Sequence, residues 1–208
     1  MRHQPVTANP DMLASMSAIE APVRPVAPGR LRLVQLFVNT LDVEPRKEML
    51  DTPAALRAWL AEQDLAAART SVSAADLELA RELREALRAL LLANNGADLD
   101  AGALAVLNRV GDQAGLRISF DAEGSPHLHP GTRGVLGAMG FLVAAVFVSM
   151  TDGTFPNLKA CAEETCTWAF YDSSRNHSRT WCDMAVCGNR VKVRAFRRRQ
   201  GEKPAGRR

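Results

Sequence analysis

Apolar positions recur at helical spacing through most of the first 150 residues, then give way to a segment rich in cysteine, aromatic and arginine residues. In RLRLVQLFVNTLD, Leu31, Val34, Val38 and Leu41 share one face, which predicts a short helix. A charged linker with Pro45 follows. Thr52-Pro53 then supplies a capping hydroxyl and a proline at the first helical position, opening a helix with Leu56, Trp59 and Leu60 in a stripe. Ser73 begins the next helix, with Asp76 three residues on in a capping-box role. Its apolar face is Leu79, Leu83, Leu87, Leu90 and Leu91, and the interleaved Arg and Glu residues fall on the solvent side. Asn94-Asn95-Gly96 stops it. A fourth helix is expected from about Asp100 to Asp112, with Leu104, Leu107 and Val110 turned inward.

The period then changes to two. Leu116, Ile118 and Phe120 alternate with Arg117 and Ser119, and after Asp121–Gly124 comes His127-Leu128-His129. This predicts a β-hairpin near 116–129, with Gly124 at the positive-φ position. Between Arg133 and Asp152 stand 18 uncharged residues. That run lies at the lower edge of membrane-spanning length, but its glycines and alanines favour a core helix that is apolar all round. Gly140 and Ala144 suit the close approach of another helix. The body is therefore mainly α with one β-hairpin.

Charge divides the chain more sharply than hydrophobicity does. The net charge over 208 residues is only +3. Residues 1–158 hold 14 basic and 18 acidic side chains, a balance of −4, whereas 159–208 hold 12 and 5, a balance of +7. A composition of 47% apolar and 24% charged residues excludes collagen-like, coiled-coil and wholly disordered chains. The expected organisation is a flexible Pro-rich lead over 1–29, a helical body over 30–154, a cysteine module over 155–200 and a basic tail over 201–208. The lead lacks an apolar run of signal-peptide length, so a cytoplasmic setting is expected. In that reducing compartment four clustered cysteines favour metal over disulfides.

Catalytic chemistry is hard to find in the body. It has no phosphate-binding glycine loop and no serine-nucleophile motif, so no enzyme is expected. His127 and His129 share a strand face, but no cysteine or carboxylate cluster accompanies them, and a solvated strand face accounts for the pair.

The cysteines stand at 161, 166, 182 and 187, a C-x4-C-x15-C-x4-C arrangement. Two short-looped pairs with a longer spacer are what wraps one tetrahedral zinc. Four thiolates fill the shell, so the metal holds the fold and leaves no open position for catalysis. His177 between the pairs is the alternative ligand. Trp168, Phe170, Tyr171, Trp181 and Phe196 crowd the same segment. They read as a miniature core, with Trp168 and Phe170 alternating on a strand and Trp181 beside the metal loop. Base stacking is the other reading and fits Tyr171 best. Gly188 is expected to give the last clamp its turn.

Beyond Cys187 the sequence GNRVKVRAFRRRQ predicts a helix carrying Arg190, Lys192, Arg194, Arg197, Arg198 and Arg199, to which Arg175 and Arg179 add charge. Such a surface suits phosphate contacts. Asn176 and Asn189 carry amides able to read an adenine edge, and they equally suit hydrogen bonds that brace the metal loops. The bland alternative for the helix is a solvated charge run or a contact with the acidic body.

The string Cys161-x4-Cys166, Phe170-Tyr171-Asp172-x-Ser174-Arg175-Asn176-x-Ser178-Arg179-x-Trp181-Cys182, then Cys187-Gly188-Asn189-Arg190-x-Lys192, resembles the bacterial CGNR zinc-finger family over roughly 158–196. It departs from that pattern at Thr180, where a third basic residue is expected. Residues 30–150 are similar, in the order of Leu36–Thr40, the Leu56-x-x-Trp59-Leu60 helix, the Leu-rich helix and the hairpin, to the ABATE domain that commonly precedes such fingers. The resemblance implies a helical ABATE-like domain followed by a small zinc-bound module of treble-clef-like or zinc-ribbon-like form. It also implies one structural Zn2+, and regulation of transcription by DNA binding.

The expected function is thus a zinc-dependent DNA-binding regulator, placed at the nucleoid if it binds DNA. The alternative is an RNA-binding or protein-interaction module beneath a ligand-sensing body. Expected partners are DNA, with RNA and a small-molecule or protein effector as further readings, and no membrane. A symmetric homo-oligomer would suit a palindromic site.

Overall fold

A computed structural model describes residues 25–201; most of the expected Pro-rich lead and all but the first residue of the basic tail lie outside the described residues. Helix α1 (Leu31–Val38) buries Leu31, Val34, Phe37 and Val38. Leu41, expected on the same helical face, lies outside it. The Thr40 hydroxyl donates to the Phe37 carbonyl at 2.7 Å, and Leu41 starts a strand, β1 (Leu41–Asp42), paired antiparallel with β2 (Lys47–Glu48). The expected linker around Pro45 is thus the turn of a second small hairpin, with Arg46 at φ 50°.

Helix α2 (Pro53–Glu62) starts as its sequence predicts: the Thr52 hydroxyl accepts from the Ala55 N–H and Pro53 occupies the first position. Helix α3 (Ala74–Ala93) opens on a complete capping box between Ser73 and Asp76. Its arginines correct the expected solvent face. Arg84 and Arg88 are buried, because each finds acceptors inside. Arg84 grips Glu48 of β2 with two 2.7 Å bonds. Arg88 donates to the Val38 carbonyl and, across the molecule, to the Thr167 carbonyl.

Helix α4 (Ala101–Ala114) is capped by Asp100 and ends at Gly115 in the left-handed region. Its buried face is Ala103, Leu107, Val110 and Ala114, at steps of three and four, which turns Leu104 outward instead of inward. The hairpin of β3 (Leu116–Phe120) and β4 (Pro126–Pro130) forms as expected, with Gly124 at φ 80°. Ile118 and Phe120 are exposed on it.

Helix α5 (Gly134–Thr151) packs against α1, α3, α4 and β4. It is long and apolar enough to cross a membrane by composition, yet ten of its residues are buried in the body. Phe147 and Met150 are exposed, so it is not buried all round. A Cβ at Gly140 would collide with the Ala114 side chain, so glycine there permits the close α4–α5 approach.

After a 3₁₀ turn (Phe155–Asn157) come β5 (Leu158–Ala160) and β6 (Ala169–Tyr171), an antiparallel pair. A π-helical turn (Met184–Gly188) leads into α6 (Asn189–Gly201). The fold is about half helix with small hairpins and a cysteine-centred module. Leu158, Ala160 and Ala169 of that module belong to the same apolar cluster as Leu87 and Leu91 of α3.

Candidate metal centre and basic face

Two knuckles carry the cysteines. In the first, the Glu163 carbonyl accepts from the Cys166 and Thr167 N–H groups, and Thr167 takes φ 47° to close it. In the second, the Asp183 carbonyl accepts from Cys187 N–H at 2.9 Å, while the Asp183 carboxylate caps Ala185 and Val186. The long spacer between them folds back, so that Ala162 N–H reaches the Thr180 carbonyl. These turns bring Cys161, Cys166, Cys182 and Cys187 together, all buried, with every Sγ within 4.8 Å of the others.

Sγ separations of 3.6 Å (Cys166–Cys182) and 3.7 Å (Cys182–Cys187) are far beyond the ~2.05 Å of a disulfide. They match the ~3.8 Å edge of a tetrahedron with ~2.3 Å zinc–sulfur bonds. Thiolates packed this closely repel one another unless a cation lies between them. Four thiolates can share this pocket only around a divalent cation. One structural zinc fits the donor set, and among the described residues no other cluster of metal-binding side chains forms.

His177 is not in this cluster. It sits at φ 46° on the spacer loop, its Nδ1 bonded to the Asp172 carbonyl at 2.9 Å. His127 is likewise taken up, 2.8 Å from the Asp121 carboxylate. Trp168 and Trp181 pack on the cysteine cluster with the buried Phe170. Tyr171 packs against the body's core, which leaves little of its ring for a base. Gly188 ends the second turn, its N–H donating to the Asp183 carbonyl at 3.2 Å, at no positive φ; a Cβ there would meet the flexible Met184 side chain at 2.5 Å and the Trp181 ring at 3.4 Å.

The spacer loop is built on a buried ion pair. Lys159 of β5 reaches Asp172 at 3.0 Å and the His177 carbonyl at 2.6 Å. Burial raises the Asp172 pKa, but hydrogen bonds from Ser174, Lys159 and the Arg179 N–H outweigh it and hold the carboxyl at about 2. The loop therefore turns Arg175, Asn176 and Ser178 out to solvent. Arg179 instead lies over the Phe170 ring and donates to the Cys182 carbonyl.

On α6, Lys192, Arg194, Arg197, Arg198 and Arg199 are exposed. Arg190 pairs with Glu44 of the β1–β2 turn at 2.5 Å, and Arg194 pairs with the wholly buried Glu163. Asn189 donates to the Ala185 carbonyl at 2.8 Å, bracing the helix start. The expected contact residues thus fall into an outward group (Arg175, Asn176, Lys192, Arg197, Arg198, Arg199) and an anchored group (Arg179, Asn189, Arg190, Arg194).

Pattern reasoning passed over the residues that seat the module. Asn39 and Ala169 exchange two bonds, Asn39 Nδ2 to the Ala169 carbonyl at 2.9 Å and Ala169 N–H to Asn39 Oδ1 at 2.8 Å. Asn94 donates to the Phe155 and Leu158 carbonyls, and Asn95 to those of Ala160 and Thr180. Asn94 and Asn95 look like ordinary helix-stop residues in sequence. Their side-chain amides are the clamp.

No curated protein matches the chain in sequence. Family models match two adjoining segments, a CGNR zinc finger over 157–200 and, over 31–153, ABATE, described as "Putative stress-induced transcription regulator". Neither is an enzyme family. With more than half its length in the second match and the four-cysteine centre in the first, the chain belongs to the ABATE family and carries a C-terminal CGNR zinc finger.

Proposed function

We propose that this protein is a cytoplasmic transcriptional regulator that binds duplex DNA through its zinc finger, with Cys161, Cys166, Cys182 and Cys187 as the zinc ligands. The body over 30–154 is the regulatory part and the finger over 155–200 the reader. The observation that carries this is the bare basic face of α6: Lys192, Arg197, Arg198 and Arg199 are exposed and make no ion pair with a described residue. Zinc fixes the root of that helix, because Cys187 stands two residues before it begins. Loop residues Arg175 and Asn176 add a second set of free side chains. Phosphates are the natural partners of such a surface, and binding to them releases counterions. Arg190, held by Glu44, ties α6 to the body, and Arg194, held by Glu163, ties it to the first cysteine knuckle of the finger.

Trp168 and Tyr171 are partly buried, which disfavours base stacking on those two rings, whereas Phe196, expected in the finger's small core, is exposed on α6. The test is a titration of zinc-loaded protein against duplex DNA at several salt concentrations. Binding should weaken steeply with salt, with a log–log slope of about −0.9 per phosphate contacted. Salt-insensitive binding, or a preference for single-stranded RNA in competition, would sink the proposal.

A further inference from the structure

A cavity of about 720 Å³ opens in the body between α1, the segment after α2 and the first turn of α5. Its size is that of a small-molecule site. Leu33, Leu65, Ala138 and Phe141 make an apolar wall, and Arg69 and Arg133 stand in its lining against a single acidic side chain, Asp64. Arg81, Arg84, Arg88 and Arg109, elsewhere in the body, each pair with a carboxylate. Arg69 and Arg133 pair with none among the described residues, nor do Arg32, Arg46, Arg57 and Arg117, but Arg69 and Arg133 are the two arginines that line the cavity. Arg30 adds a third positive charge next to the cavity, 5.1 Å from the centroid of the Phe141 ring. The first turn of α5, which no side chain caps, brings its free N–H groups to the same end.

We infer that this cavity binds an organic carboxylate with an apolar body. The carboxylate lies between Arg69 and Arg133, and the hydrocarbon lies against Leu33 and Phe141. Two cations beside an apolar wall discriminate on both counts: a neutral analogue leaves the arginines unpaired, and a cation is repelled.

Occupancy has a short route to the finger. Leu33 lines the cavity from α1, and α1 holds the finger through Gln35 and Asn39, both bonded to Ala169. A ligand that shifts this eight-residue helix therefore moves the seat of β6. This consequence rests on the regulatory function proposed above, whereas the site does not.

The experiment is calorimetric titration of the zinc-loaded full chain with octanoate and with 2-naphthoate, without DNA. Octanol and octylammonium serve as charge controls. At least one carboxylate should bind with a Kd below about 1 mM, and octanol about tenfold or more weaker than octanoate. Arg69→Gln and Arg133→Gln should each weaken carboxylate binding about tenfold at unchanged zinc content and melting temperature, with Arg69→Lys restoring most of it. Arg117→Gln on the hairpin should change nothing. No carboxylate binding, equal binding of octanol, or indifference to both glutamine variants would each overturn the site. A separate duplex titration with and without the bound carboxylate reads the coupling. If duplex binding fails while carboxylate binding holds, the DNA-binding function falls and the site stands.

Discussion

Asp172 shows how much of this surface depends on one buried carboxylate. It accepts from Lys159, Ser174 and the Arg179 N–H, and so shapes the loop that exposes Arg175 and Asn176. Its folded pKa of about 2 lies below the ~3.9 of a free aspartate. The ionised form is therefore favoured by folding, and its contribution is present above about pH 4 and lost as pH falls towards 2. Asp172→Asn should lower the melting temperature at neutral pH and flatten the further fall between pH 4 and 2, measured against the native protein at the same zinc loading. Asn94→Ala removes two 2.9 Å bonds, to the Phe155 and Leu158 carbonyls, and leaves the former only the Leu158 N–H. It should cost about 1–3 kcal/mol in denaturant unfolding, read as a lower midpoint at constant slope. Neither residue's role was visible in the sequence. A buried aspartate and a solvated one are spelled alike, and an asparagine ending a helix needs no further reason to be there. The cysteines differ because their chemistry narrows what a repeated spacing can mean.

At the scale of elements, α6 separates two kinds of basic residue that sequence alone had pooled. Replacing Lys192 or Arg197 by Gln should each reduce the salt slope of duplex binding by about 0.9, evenly across DNA sequences, and leave the melting temperature unchanged. Arg194→Gln should instead lower stability as well, because it leaves the buried Glu163 without its cation. The paired measurement of slope and melting temperature distinguishes the two groups. Helix starts were the most legible elements: Thr52-Pro53 and Ser73–Asp76 cap as their chemistry requires, since capping is local. Inward faces were less so. Leu104 lies one position off the 103–107–110–114 stripe, and only the placement of α3 and α5 decides which stripe faces in.

For the whole molecule, the acidic body and the basic finger share one apolar core. Leu158, Ala160 and Ala169 pack with Leu87 and Leu91, and Arg88 spans from α1 to Thr167. Removing zinc should therefore be felt beyond the finger. The zinc-loaded protein should melt in one transition by both near-ultraviolet and far-ultraviolet circular dichroism, and chelation should lower the helical melting temperature too. Two independent transitions, with the helical one indifferent to chelator, would contradict the shared core. Cys182→Ala should act as chelation does, because the metal supplies much of the folding free energy of so small a module.

The sequence by itself determined the helix caps, the β3–β4 hairpin and the four-cysteine centre, with the basic helix after it. Each rests on interactions between residues close in the chain, or on a donor type so selective that spacing suffices. Only the tertiary structure decided that Arg84 and Arg88 turn inward, that Asn39, Asn94 and Asn95 clamp the finger, and that Arg69 and Arg133 line one cavity. Those outcomes depend on which acceptors and surfaces distant segments bring together, and burial, not residue type, sets what a polar side chain does there.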